Sequence, residues 1–105
     1  MQKKEFMPKL YEYLGIVIWF FSDEHNPMHI HARYGDNEVK VELFEDNGIV
    51  YDIQYSTVSG KFSPAKIRDL KKFIHENKSA ILFAWKQVFE QNVKLKPIKI
   101  SKRIR

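Results

Sequence analysis

The stretch "SDEHNPMHIHARYGD", residues 22–36, holds His25, His29 and His31, three of the chain's four histidines, with Arg33 close behind. Imidazole changes charge near neutral pH, so it can take or give a proton in a reaction, and its neutral form ligates metals. Three readings fit the spacing. In the first, His29 and His31 hold Zn²⁺, Fe²⁺ or Mn²⁺, with His25, Glu42 or Asp23 as a third ligand and one position left open. In the second, the segment cleaves RNA through its 2′-hydroxyl. That reaction needs a base, an acid and a cation for the charge building on phosphorus. His29 and His31 can be acid and base, His25 can support them, and Arg33 can clamp the phosphate. It requires no cofactor. In the third reading Asn26-Pro27 fixes a turn, His25 caps a backbone group, and the strand histidines simply face solvent.

The elements around the segment decide which side chains can meet. "MHIHARY" (28–34) alternates, with Ile30, Ala32 and Tyr34 on one face and His29, His31 and Arg33 on the other. "EVKVELF" (38–44) alternates too, turning Val39, Val41 and Leu43 inward and Glu38, Lys40 and Glu42 outward. If the two strands form a hairpin with their apolar faces together, the connecting loop must hold an even number of residues, such as Gly35-Asp36 or 35–38. Either register sets Glu42 opposite one of the two histidines, and the two-residue loop also pairs Arg33 with Glu38. The polar patch is then His29, His31, Arg33, Lys40 and Glu42, with His25 at its rim.

Upstream, "PKLYEYL" (8–14) and "IVIWFF" (16–21) read as strands around Gly15; downstream, "IVYDIQY" (49–55) is another, with Ile49, Tyr51, Ile53 and Tyr55 sharing a face. Ser63-Pro64 is an N-cap with proline at the first helical position. Ile67, Leu70 and Ile74, then Ile81, Ala84, Trp85, Val88 and Phe89, follow at helical spacing. The two stripes are in phase, so one long helix, or two nearly collinear helices bent near Asn77, follows. The expected fold is α+β: an antiparallel meander of four or five strands packed on that C-terminal helical segment. Residues 1–91 make one domain, and 92–105 are a basic tail or an edge strand. Trp19 and Tyr11, Tyr13, Tyr51 and Tyr55 read mainly as sheet packing, with one or two of them available as exposed base-stacking surfaces, and His75 carries no assigned role.

The formal charge is +5, yet residues 1–91 carry 12 basic against 13 acidic side chains. The excess lies in Lys94, Lys96, Lys99, Lys102, Arg103 and Arg105, with no acid among them. Together with Arg33 and Lys40, these are the residues available to a nucleic-acid backbone; an acidic protein is another use for the tail. The absence of cysteine excludes disulfides and thiolate metal sites. The apolar run Leu14–Phe21 is too short to span a bilayer, and no signal-type start is present. A cytoplasmic protein without a membrane partner is expected. No Gly-rich phosphate loop, nucleophile elbow or paired-carboxylate motif occurs.

Met7-Pro8, Gly15, Ser22, His25, Pro27, His29-Ile30-His31 and Gly35 together resemble the hallmark of a small prokaryotic family, domain of unknown function 4160 (DUF4160). The resemblance runs over roughly residues 7 to 90, nearly the whole domain. The family's usual Asp directly before the first histidine is replaced here by Asp23-Glu24, and the basic tail is longer than in short members. The resemblance implies a genetic neighbour from another uncharacterised family, DUF2442, in arrangements similar to toxin–antitoxin pairs. It therefore implies a small cognate protein partner, of antitoxin type, and RNA as the usual target class. The expectation is an RNA-binding or RNA-cleaving module built on His25, His29, His31 and Arg33, a metal-independent ribonuclease if an enzyme. A non-enzymatic binding or regulatory partner is the alternative, and a metal-dependent enzyme the third.

Overall fold

The computed structural model describes residues 9–20, 28–91, 94 and 96–104. The expected turn over 23–27, with His25 on it, lies outside the described residues. So do Met7, Pro8, Asn92, Val93, Leu95 and Arg105. Six strands and one helix follow in chain order: β1 (Lys9–Tyr13), β2 (Ile16–Phe20), β3 (Met28–Tyr34), β4 (Asn37–Asp46), β5 (Ile49–Ser59), α1 (Pro64–Gln91) and β6 (Ile98–Ile100). The sheet order is β5-β4-β3-β2-β1-β6. Strands β1 to β5 form the antiparallel meander that the alternating pattern predicts.

Two features correct the expected four- or five-stranded antiparallel sheet. The basic segment supplies a sixth strand, and that strand runs parallel to β1, pairing Tyr11 with Ile98 and Tyr13 with Ile100. A parallel connection needs a long crossover. Here α1, about 42 Å long at the usual helical rise, returns the chain from the β5 edge to the β1 edge. The end is then tied down: Ile104 N donates to Tyr13 Oη at 2.8 Å, and Arg103 reaches both oxygens of Asp69 at 3.2 Å. The second correction lies in β5. A bulge shifts its pairing from Phe44↔Asp52 to Glu45↔Val50. One extra residue reverses side-chain parity, so Val50, Ile53 and Tyr55 turn toward the core, whereas Ile49 and Tyr51 are each 67% exposed.

The helix is one continuous element. Ser63 caps it, with Lys66 N donating to Ser63 Oγ at 3.2 Å. Asn77 donates its side-chain amide to Phe73 O at 2.9 Å and leaves the helix unbroken. Leu70, Phe73, Ile74, Ile81, Leu82 and Val88 are buried against one sheet face. Phe73 stacks on Tyr13 at 4.5 Å between centroids and meets Tyr11 edge-on at 4.9 Å. Burial of such a ring is worth about 2–3 kcal/mol, so this contact fixes where the helix crosses the strands. No described helix is long and apolar enough to cross a membrane.

Gly60 closes the end of β5 against the start of β4. Its φ is +61°, and a Cβ there would lie 2.0 Å from Asn37 Oδ1, the atom that accepts Lys61 N at 3.0 Å. Gly48 also has positive φ (+82°) but open space around it. Gly48→Ala should cost about 1 kcal/mol, the backbone term alone, and Gly60→Ala clearly more. Urea denaturation of both variants checks this; equal midpoints would show that Asn37 yields without cost.

Candidate functional site

The helix covers one face of the sheet, and among the described residues no helix or strand packs on the other. Strand parity puts His29, His31 and Arg33 on that second face. Their neighbours are set by register. The loop Gly35-Asp36 has two residues and Gly35 has φ +61°, a backbone glycine adopts without strain and one suited to a tight hairpin. It places His29 opposite Glu42, His31 opposite Lys40 and Arg33 opposite Glu38. On the other side Trp19 lies opposite His31 and Val17 opposite Arg33.

Glu38 is the centre of the arrangement. It is the one buried charged residue among those described, 9% exposed. Its carboxylate accepts from His31 Nδ1 through Oε2, on the diagonal of the ladder, and from Arg33 Nη2 through Oε1 at 3.1 Å. Burial pushes this carboxyl up, but the hydrogen bonds and charges of His31 and Arg33 outweigh it and hold the group below its ordinary value. With Nδ1 turned to Glu38, proton exchange by the His31 ring falls to Nε2. One rung away, His29 Nε2 stands 3.2 Å from Glu42 Oε2 as a separate imidazole–carboxylate contact. The Trp19 indole stacks on His31 at 5.9 Å between ring centroids, and the Arg33 guanidinium lies 5.8 Å from the Trp19 ring centre. Trp19 Nε1 is buried without a hydrogen-bond partner among the described residues.

The expected patch is thus brought together, with two additions. Glu38 was legible only as the partner of Arg33; its diagonal reach to His31 depends on the twist of the hairpin. Trp19 belongs to this face and to His31, not to core packing. Its place in "IVIWFF" signals this, since Ile18 and Phe20 on either side are buried against the helix. His29, His31 and Glu42 do not converge as a metal set: the imidazoles turn to different carboxylates, and the described residues contain no cluster of three metal-ligating side chains. His25 lies outside them. Lys40 flanks His31. In the basic segment Lys99 lies 3.6 Å from Glu12, Arg103 is held by Asp69, and Lys94, Lys96 and Lys102 are exposed. Strand β6 is three strands from β3, about 14 Å across the sheet.

A helix-backed sheet with carboxylate-held histidines on its second face defines a small α+β protein with a polar strand surface. The chain belongs to a family described as a domain of unknown function (DUF4160), which it matches over residues 15–86. No curated protein and no solved structure matches it.

The depressed Glu38 carboxyl sets a pH dependence. Its folded value lies below the ordinary 4.5, so its contribution is complete above that value and is lost as pH falls through the folded one. Glu38→Gln should lower stability at neutral pH by about 1–3 kcal/mol and flatten the loss of Tm below about pH 4.5. Tm measured by circular dichroism down to about pH 3 checks this; parallel acid limbs in both proteins would remove Glu38 as the titrating group.

Proposed function

We propose that the β3 face is an acid–base site acting on RNA. The observation that carries this reading is the single buried carboxylate of Glu38, which holds His31 and Arg33 together. A base and a phosphate-binding cation tied to one anchor keep their relative positions, which is what catalysis by proximity needs. In the reaction His31 Nε2 takes the 2′-hydroxyl proton as that oxygen bonds to phosphorus. The bond from phosphorus to the 5′-oxygen breaks, and protonated His29 gives that oxygen its proton. Arg33 balances charge on the non-bridging oxygens. The half-buried Trp19 offers a base a stacking surface beside both groups. Lys40 and the exposed Lys94, Lys96 and Lys102 extend the backbone contact, with Lys99 and Arg103 secondary because each already faces a carboxylate. His25 supports the site, and a small antitoxin-type protein is its cognate partner.

One observation favours a second reading, a non-enzymatic binding surface. Glu38 and Glu42 neutralise much of the positive charge on this face, and a face of balanced charge suits a protein better than a phosphate backbone.

Incubation with single-stranded RNA and with a fully 2′-O-methylated copy separates the two. Cleavage is expected only of the unmethylated strand, leaving cyclic phosphate ends, with chelator making no difference. His31→Ala should slow it by about 10²–10⁴-fold. Intact RNA, or cleavage undiminished in His31→Ala, sinks the catalytic reading.

A further inference from the structure

Strand β5 is the longest strand and lies at the edge of the sheet, with no strand beyond it among the described residues. Its outer backbone is available. Ile53 N donates to its neighbour's Asp52 Oδ1 at 2.9 Å, so that amide points away from β4. Alternation along an antiparallel ladder then turns the amides of Tyr55 and Thr57 outward as well. Natural edges are commonly blunted by lysine or proline; β5 contains neither, and Asp52 is its single charge. Beside this edge, between β5 and α1, runs a groove of about 350 Å³ whose lining includes Tyr55, Lys71, His75 and Lys78, with Asp52 as its one acid. A second, larger groove on the helix shares Lys71 and His75 and adds Arg68 and Lys72, with Glu76 as its acid. None of these lysines or Arg68 has a carboxylate within ion-pair distance among the described residues. Lys71 Nζ lies 5.2 Å from the centre of the Tyr55 ring.

We propose that β5 accepts an extended acidic segment of a partner protein as a seventh strand, its carboxylates lying over Lys71, His75 and Lys78. The outward amides of Tyr55 and Thr57 supply affinity without regard to sequence, and the cations select acidic side chains on the helix-facing half of the incoming strand. Two other occupants fit less well. A second copy paired edge to edge would bring two sets of Lys71, His75 and Lys78 together in a chain of net charge +5. A nucleic acid would use the cations but leave the outward amides and the exposed Ile49 and Tyr51 without partners. The proposal stands independently of the acid–base site, which lies on the opposite face.

The test uses the full chain and dye-labelled peptides of the length of β5, alternating glutamate with valine, read by fluorescence anisotropy. Three further probes accompany it: a lysine–valine peptide, a glutamate–valine peptide N-methylated at alternate residues, and an RNA oligomer as competitor. The acidic peptide should bind saturably and the lysine peptide should not. N-methylation and the substitutions Lys71→Glu, at an exposed position, and Lys78→Glu, at a half-buried one, should each weaken binding at least roughly tenfold, Lys71→Glu without moving Tm. No saturable binding up to about 1 mM, or equal binding of the methylated peptide, overturns the docking. A dimer by light scattering that the acidic peptide cannot dissociate assigns the edge to a second copy and also overturns it. So does RNA that displaces the peptide and binds more tightly than it at the same salt.

Discussion

The two-residue connection between β3 and β4 is the constraint on which the polar site depends. A hairpin closed by Gly35-Asp36 has one register, and that register puts Arg33 opposite Glu38 and His29 opposite Glu42. A shift of one residue would turn Val39 and Val41 out of the core and the glutamates into it. The apolar face therefore enforces the polar one: Ile30, Ala32, Val41 and Leu43 are buried beneath the helix, and their packing energy holds the carboxylates beside the histidines.

Burial of Glu38 is costly by itself, because a carboxylate loses hydration that only good partners repay. Here one oxygen takes His31 and the other takes Arg33, and both partners are stacked beside Trp19. The arrangement is asymmetric in depth. The Arg33 side chain is 57% exposed whereas the Glu38 side chain is 12% exposed, so the guanidinium can address something outside while remaining tied to its anchor. His29 and Glu42 form a shallower pair. Two carboxylate-bound imidazoles on one strand, at different depths, occupy different environments without separate structural elements to hold them.

Alternation made most of this legible in the residues. The inward set of β3 and β4, the outward histidines, the Glu42 contact and the capped helix all follow from periods of 2 and 3.6. What escaped has specific physical reasons. The basic segment reads equally as a tail or an edge strand; that its three-residue β6 pairs with β1, and in parallel, depends on where a 28-residue helix ends. The bulge in β5 reverses parity at Tyr51, and no turn residue marks it. Glu38 looks like any solvent-facing acid, since its burial arises from its partners on β3 and the adjoining strand β5. Trp19 sits in an apolar run whose alternation is visible only once one face is known to be polar.

The distribution of charge separates two kinds of recognition. On the histidine face Glu38 and Glu42 each have a cationic or imidazole partner, so the surface around them is polar but nearly balanced, suited to positioning a proton donor or acceptor more than to long-range attraction. On the helix side Arg68, Lys71, Lys72 and Lys78 stand without ion-pair partners among the described residues, beside an edge strand of low charge. Attraction at a distance falls within about 10 Å at moderate salt, so these cations act on what approaches the helix and β5 and little on what approaches His31. If the strand face acts on a substrate, that substrate must be held chiefly by stacking and short contacts around Trp19 and Arg33. The proposed chemistry and the proposed docking thus lie on opposite faces of one sheet, and a partner on the β5 edge would leave the described histidines of β3 uncovered.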